Sequence, residues 1–199
     1  EAIVGRATVH DYLGFHRAAM IDLDRAIELD DQEPQPFLIR GSIYVELGEH
    51  DEAKKDFAYV LECDPFDEEA RLQLARLQAL DGESADARET LEPLVDEGQF
   101  DAYVMSGALL RSQLALGLGS TDAAIDDAEV AIELAPDQPW GYLQLAACHL
   151  NAARPGDAIE ALKDAEANIA DPADFPDLHA LRSSAYEQLE KHDKAAAEQ

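Results

Sequence analysis

The residues that could do chemistry are easily counted, and their spacing argues against catalysis. Of the six histidines, His16 and His50 lie 34 residues apart, and His192 fills the same slot in a later stretch. All three sit at a turn leading into a helix. Side chains a full structural unit apart along an elongated array cannot share one metal ion, so a turn-packing role is expected. His149 and His179 fall in separate helices with no nucleophile or base spaced to work with them. HExxH, GxSxG and Gly-rich phosphate loops are missing. Asp22 and Asp24 alternate like calcium ligands, but they lie in a helix and lack the following Gly of an EF-hand loop. Cys63 and Cys148 form no CxxC pair and read as small buried apolar residues. With 43 acidic residues, chance carboxylate pairs are certain and none stands out as an acid/base couple. No catalytic residue, metal or cofactor is expected.

The elements behind these residues are organised around Pro34 to Asp67. Phe37, Gly41, Tyr44 and Leu47 fall at helical spacing, and Gly48 stops that helix. Asp51 can cap a second helix carrying Ala53, Phe57, Val60 and Leu61 on one stripe, and Pro65 closes it. Neither helix alone buries enough surface to be stable in water, so the unit must be held by a copy of itself. The copies follow from the slot of Ala53, which is filled again by Ala19, Ala87, Ala124, Ala158 and Ala195, at intervals of 34, 34, 37, 34 and 37 residues.

A 34-residue helix–turn–helix period, with Phe37, Gly41, Tyr44, Gly48, Ala53, Phe57 and Pro65 in one unit and Tyr142, Leu145, Ala146, Ala158, Leu162 and Ala165 in another, resembles the tetratricopeptide repeat family over essentially the full chain. The resemblance implies an all-α, right-handed superhelical solenoid. It would be one array, 1–199, with repeats at about 1–33, 34–67, 68–101, 102–138, 139–175 and a truncated 176–199. Helix A of repeat six is expected at about Leu178–Glu190, with a second helix barely begun at Gln199. Pro93 should bend helix B of repeat three. Repeat four fits two registers. The one with Tyr103 at the aromatic position is favoured, because it puts Gly107 where a small residue is needed; it lengthens the inner turn by five residues.

The net charge is −28, running −5, −5, −7, −5, −4 and −2 along the six repeats. Even spacing with scarce lysine reads as surface adaptation for solubility in a high-salt cytoplasm; the sharper reading is a basic partner steered by the field. Nucleic acid is excluded as a partner, since phosphate would be repelled. No apolar run approaches a membrane span, so no membrane insertion is expected. The chain starts at Glu1 without Met, so an upstream segment could have been removed.

In the family, helix A of each unit lines the concave surface, chiefly through its second, fifth, ninth and twelfth positions. Carried over, these are Gln35, Leu38, Ser42 and Val45 in repeat two, and Glu69, Leu72, Arg76 and Ala79 in repeat three. In repeat four, in the favoured register, they are Asp101, Val104, Ala108 and Arg111; in repeat five they are Trp140, Leu143, Ala147 and Leu150. An apolar stripe rimmed by acid marks an interaction site. Some members hold a peptide carboxylate with Lys and Asn; here those positions hold Val4, Thr8, Ile39, Glu69 and Gln73, so that clamp is missing, and only Arg76 and Arg111 remain to hold a carboxylate. The expected role is a non-enzymatic protein-interaction scaffold, binding an extended or helical peptide with apolar anchors and basic ends. The alternatives are a self-assembly module stacking as a homo-oligomer through its terminal repeats, or the regulatory arm of a larger enzyme.

Overall fold

Eleven helices account for nearly all of what the computed structural model describes, residues 1–97, 102–169 and 175–197, and no strand occurs among these residues. They fall into two compact units, residues 1–83 and 84–199. The first holds α1 (Ala2–Tyr12), α2 (His16–Leu29), α3 (Gln35–Leu47), α4 (His50–Cys63) and α5 (Glu68–Leu80). The second holds α6 (Ser84–Glu97), α7 (Ala102–Gly117), α8 (Thr121–Leu134), α9 (Pro139–Asn151), α10 (Pro155–Ala167) and α11 (Pro176–Ala197). Helix α6 runs on through Pro93.

Within each unit every helix packs on the next. The odd-numbered helices α1 and α3 of the first unit, and α7 and α9, and α9 and α11 of the second, also touch one another, forming an inner layer within each unit. Ala19, Ala53, Ala87, Ala124 and Ala158 are fully buried. One turn later Leu23, Phe57, Leu91, Ala128 and Leu162 are buried too. A methyl at the first slot lets helix A approach; the large residue at the second fills the hairpin, each Leu or Phe contributing roughly 1.5–3 kcal/mol.

The helix A to helix B turns are equally regular. Gly14, Gly48, Gly82, Gly119 and Ala153 all have positive φ, and each stands five residues before its buried Ala. The next residue donates its N–H to a carbonyl five residues back: Phe15 to His10, Glu49 to Tyr44, Glu83 to Gln78, Ser120 to Ala115 and Arg154 to His149, at 2.8–2.9 Å. This is the Schellman closure, which needs a left-handed residue and so favours Gly.

Two expectations are corrected. The sixth copy of the turn slot is Glu190, a good helix former with no tolerance for the left-handed region. The chain therefore does not turn there, and α11 continues as one helix of 22 residues to Ala197. In repeat four the inner turn is not lengthened, because Gly119 keeps the usual distance to Ala124. The three extra residues extend α7, which has 16 against 13 in α3. Ser112, fully buried and donating to the Ala124 carbonyl at 2.7 Å, takes the place that Gly41 holds in α3. A Cβ on Gly41 would meet Phe57 of its own hairpin at 2.8 Å. A Cβ on Gly107 would instead meet Leu94 of the preceding α6 at 2.9 Å, just as one on Gly141 would meet Ile132 of the preceding α8 at 2.7 Å. Helix A thus has two close-approach slots, and Gly107 occupies the other one.

Candidate binding groove

The inner layer of the second unit presents one stripe from each of three helices. Leu109 and Gln113 of α7 are spaced i, i+4; Trp140, Leu143, Gln144 and Ala147 of α9 are spaced i, i+3, i+4, i+7; Asp177, Ala180 and Leu181 of α11 are spaced i, i+3, i+4. Residues at such spacing share a helix face, and together these nine line a groove of about 400 Å³. Trp140 is 46% exposed, with its ring 5.2 Å from that of Phe175. Leu143 forms the floor, joined to the core of α9, α10 and α11. Gln144 is oriented from below: its amide nitrogen donates to the Ser112 hydroxyl at 3.0 Å and lies 3.8 Å from the Cys148 sulfur. Burial pushes the Cys148 thiol up from its ordinary value.

Of the residues expected on the concave face, Trp140, Leu143 and Ala147 lie in this groove. Leu150 is buried one turn further on, and its carbonyl accepts from Gln188 at 3.3 Å. Val104, Ala108 and Arg111 belonged to the wrong register. Val104 and Ala108 are 2% and 0% exposed, Ala108 packing with Val95 and Ala131. Leu109 and Gln113 line the groove instead. Gln144 and Leu181 occupy the sixth position of helix A, which sequence reasoning weighed only for the missing clamp, at Ile39 and Gln73; a polar residue inside an apolar stripe was the available signal. In the first unit Leu38 and Val45 pack against the Phe57 core, and Ser42 donates to the Leu38 carbonyl at 3.1 Å. Leu72 is buried, Ala79 half-buried and Arg76 exposed. Asp101 lies outside the described residues. Cys63, expected to be buried, is exposed at the last position of α4.

Arg111 is not free for a ligand carboxylate. Its Nε and Nη2 donate to Asp127 at 2.8 and 2.6 Å, and its Nη1 donates to Asp96 at 2.7 Å. The same clasp recurs at the same 16-residue spacing, Arg6 to Asp22 and Arg40 to Asp56, and Arg40 also holds Asp24. Where repeats three and five lack the arginine they lack the acid too, with Leu74 and Thr90, and Leu145 and Ala161, in the two slots. In α11, which makes no hairpin, Arg182 reaches back to Glu166 at 3.2 Å. The clasp was readable from the repeated spacing and was missed. The hydrogen bond from Arg6 holds the Asp22 carboxyl below the usual carboxylate range, whereas burial pushes that of Asp127 up against the pull of Arg111.

His16 does not meet His50, but it does meet two carboxylates. Its Nδ1 lies 3.2 Å from Asp11 and its Nε2 3.5 Å from Glu46. The three residues offer donor atoms within 4.8 Å of one another. Opposite ring nitrogens facing different acids make a bridging pair rather than donors converging on one ion.

The tetratricopeptide repeat family model matches residues 44–108. YrrB, described as a TPR protein with an unusual peptide-binding site, superposes with a TM-score of 0.75 over 93% of this chain and 90% of its own at 18% identity. The chain is a tetratricopeptide repeat protein. MamA gives a TM-score of 0.77 over 88% of this repeat protein and 94% of MamA at 15% identity. DnaJ homolog subfamily C member 3 from Gallus gallus is 30% identical over 156 residues, 71% of the repeat protein. The human relative of the same name is 28% identical over an equal span. The chain spans about 30% of the length of these relatives. The repeat fold is that of a protein-interaction scaffold, and among the described residues no helix is long and apolar enough to cross a membrane.

Proposed function

We propose that this repeat protein is a non-catalytic binding module that seats a peptide segment of a partner in the groove formed by α7, α9 and α11. The observation that carries the reading is the groove lining: a half-exposed Trp140, apolar side chains on all three helices and a fixed carboxamide, on a protein of net charge −28. An open apolar channel with a few convergent polar groups suits an extended chain, whose side chains supply burial and whose backbone supplies hydrogen bonds. YrrB, a neighbour in fold, is described as having a peptide-binding site, which supports a peptide as the ligand class. The test is selection from a random dodecapeptide display library on the intact chain and on Ala147→Trp, which fills the groove from its floor. Enrichment on the intact chain that disappears in Ala147→Trp is expected. Ala180→Trp, at an exposed position of α11, serves as a second blocking variant, with circular dichroism checking that both fold. Enrichment that is absent, or equal on blocked and unblocked protein, overturns the reading.

A further inference from the structure

Resting on that reading, we propose that the groove recognises a basic side chain, arginine or lysine, flanked by apolar residues on the bound segment. Its cation sits between the Trp140 ring and the Asp177 carboxylate, with the Gln144 carbonyl accepting from its N–H groups.

The inference follows from which hydrogen-bonding roles are left open. Ser112 spends its proton on the Ala124 carbonyl, so toward Gln144 it can only accept. That fixes the carboxamide with its nitrogen inward and leaves Oε1 as the atom available to a ligand. Asp177, in the first turn of α11, is likewise an acceptor and lines the same groove. Among the described lining residues there is no cation. Arg111 is committed to Asp96 and Asp127, and Arg182 to Glu166 and His179. A carboxylate ligand would therefore meet acceptors and a negative field, whereas a guanidinium or ammonium would find acceptors already oriented. The indole supplies the remaining element. Phe175 packs against Trp140 while nearly half of the tryptophan stays open, and a cation over an indole face is attracted by its quadrupole. Leu109, Leu143 and Leu181 then take the apolar neighbours.

The test separates this proposal from the broader one. In the same display selection, groove-dependent binders are expected to carry Arg or Lys next to an apolar residue. The most enriched peptide, resynthesised with citrulline in place of arginine or norleucine in place of lysine, is then titrated at 0.15 M salt by calorimetry and by the emission of Trp140, the only tryptophan in the chain. Roughly tenfold weaker binding of the neutral peptide is expected, in keeping with one desolvated cation–π contact and its ion pair. Asp177→Asn should remove most of that discrimination and leave the neutral peptide unaffected. Glu129→Gln, an equal charge change on the exposed face of α8, should not. Groove-dependent peptides without a basic preference overturn the cation receptor and leave the groove standing, as does discrimination that Glu129→Gln weakens as much as Asp177→Asn. Loss of all groove-dependent enrichment overturns both.

Discussion

The Arg111–Asp127 clasp gives the sharpest test of how this array is held together. The side chains are 12% and 5% exposed, so the pair is almost dry on the acid side, while Asp96, the second partner of Arg111, is half exposed. Breaking a fully buried pair from one side costs about 3–5 kcal/mol. Asp127→Ala leaves the guanidinium with Asp96 and a path to water, so its cost should be nearer ~2 kcal/mol. Arg111→Leu leaves the carboxyl buried with Arg88 at 3.8 Å; burial already favours its neutral form, so the loss should again be about 2 kcal/mol rather than the full penalty. The double variant Arg111→Leu with Asp127→Ala recreates the Leu145/Ala161 pair that repeat five uses. It should fall within about 1 kcal/mol of the parent, as apolar replacements of buried pairs commonly do. Urea unfolding followed by circular dichroism gives the four corners of the cycle, and a coupling energy of about 3 kcal/mol is expected. Additive single effects, with coupling below about 0.5 kcal/mol, would refute the view that the two slots are exchanged as a unit.

Three further outcomes are expected. Self-repulsion of a −28 surface should raise the melting temperature between low salt and molar potassium chloride, as the Debye length falls from roughly 30 Å to about 3 Å; a flat response would argue against dispersed repulsion. Because Arg6 depresses the Asp22 carboxyl, its contribution is present above the unfolded carboxylate range near ~3.9 and is lost as pH falls through the lower folded value. The melting gap between the parent and Asp22→Asn should therefore be full at about pH 6 and close below about pH 3, and a gap independent of pH would contradict the clasp. Ala153, at φ 56°, is a non-glycine in a left-handed slot, so Ala153→Gly should stabilise the fold by about 0.5–1 kcal/mol in the same unfolding assay, and a destabilisation would show that the turn is not strained.

Much of the fold was legible because the repeat restates each structural need. Ala19, Ala53, Ala124 and Ala158 recur because two helix axes approach at that point, and every one is fully buried. What failed, failed where one residue type serves two needs. Gly107 was taken for the contact with its own hairpin, as at Gly41, but it serves the approach to the preceding helix, as at Gly141. That single reassignment carried Val104, Ala108 and Arg111 onto the wrong face. The end of the array was misread because a repeat pattern was extended past a slot, Glu190, whose chemistry denies the turn.

The groove was harder to read for a reason that follows from the same grammar. Along helix A the eighth position must be small to admit the neighbouring helix, the third is small in α5, α7 and α9, and the seventh carries the arginine clasp or an apolar substitute. The second, sixth and ninth positions are less constrained by packing, whereas the fifth is held apolar as Val4, Leu38, Leu72, Leu109 and Leu143. Trp140, Gln144, Gln113 and Asp177 occupy the less constrained positions, and only Gln144 has an identical counterpart, Gln73 in α5. Periodicity therefore locates the face, while most of the residues that give it chemistry depart from the period and carry no weight in it. Their meaning depends on partners brought in from elsewhere in the chain: Ser112 under Gln144, and Phe175 against Trp140. In this array the repeated residues hold the scaffold together, and most of the residues lining the groove lie outside the period.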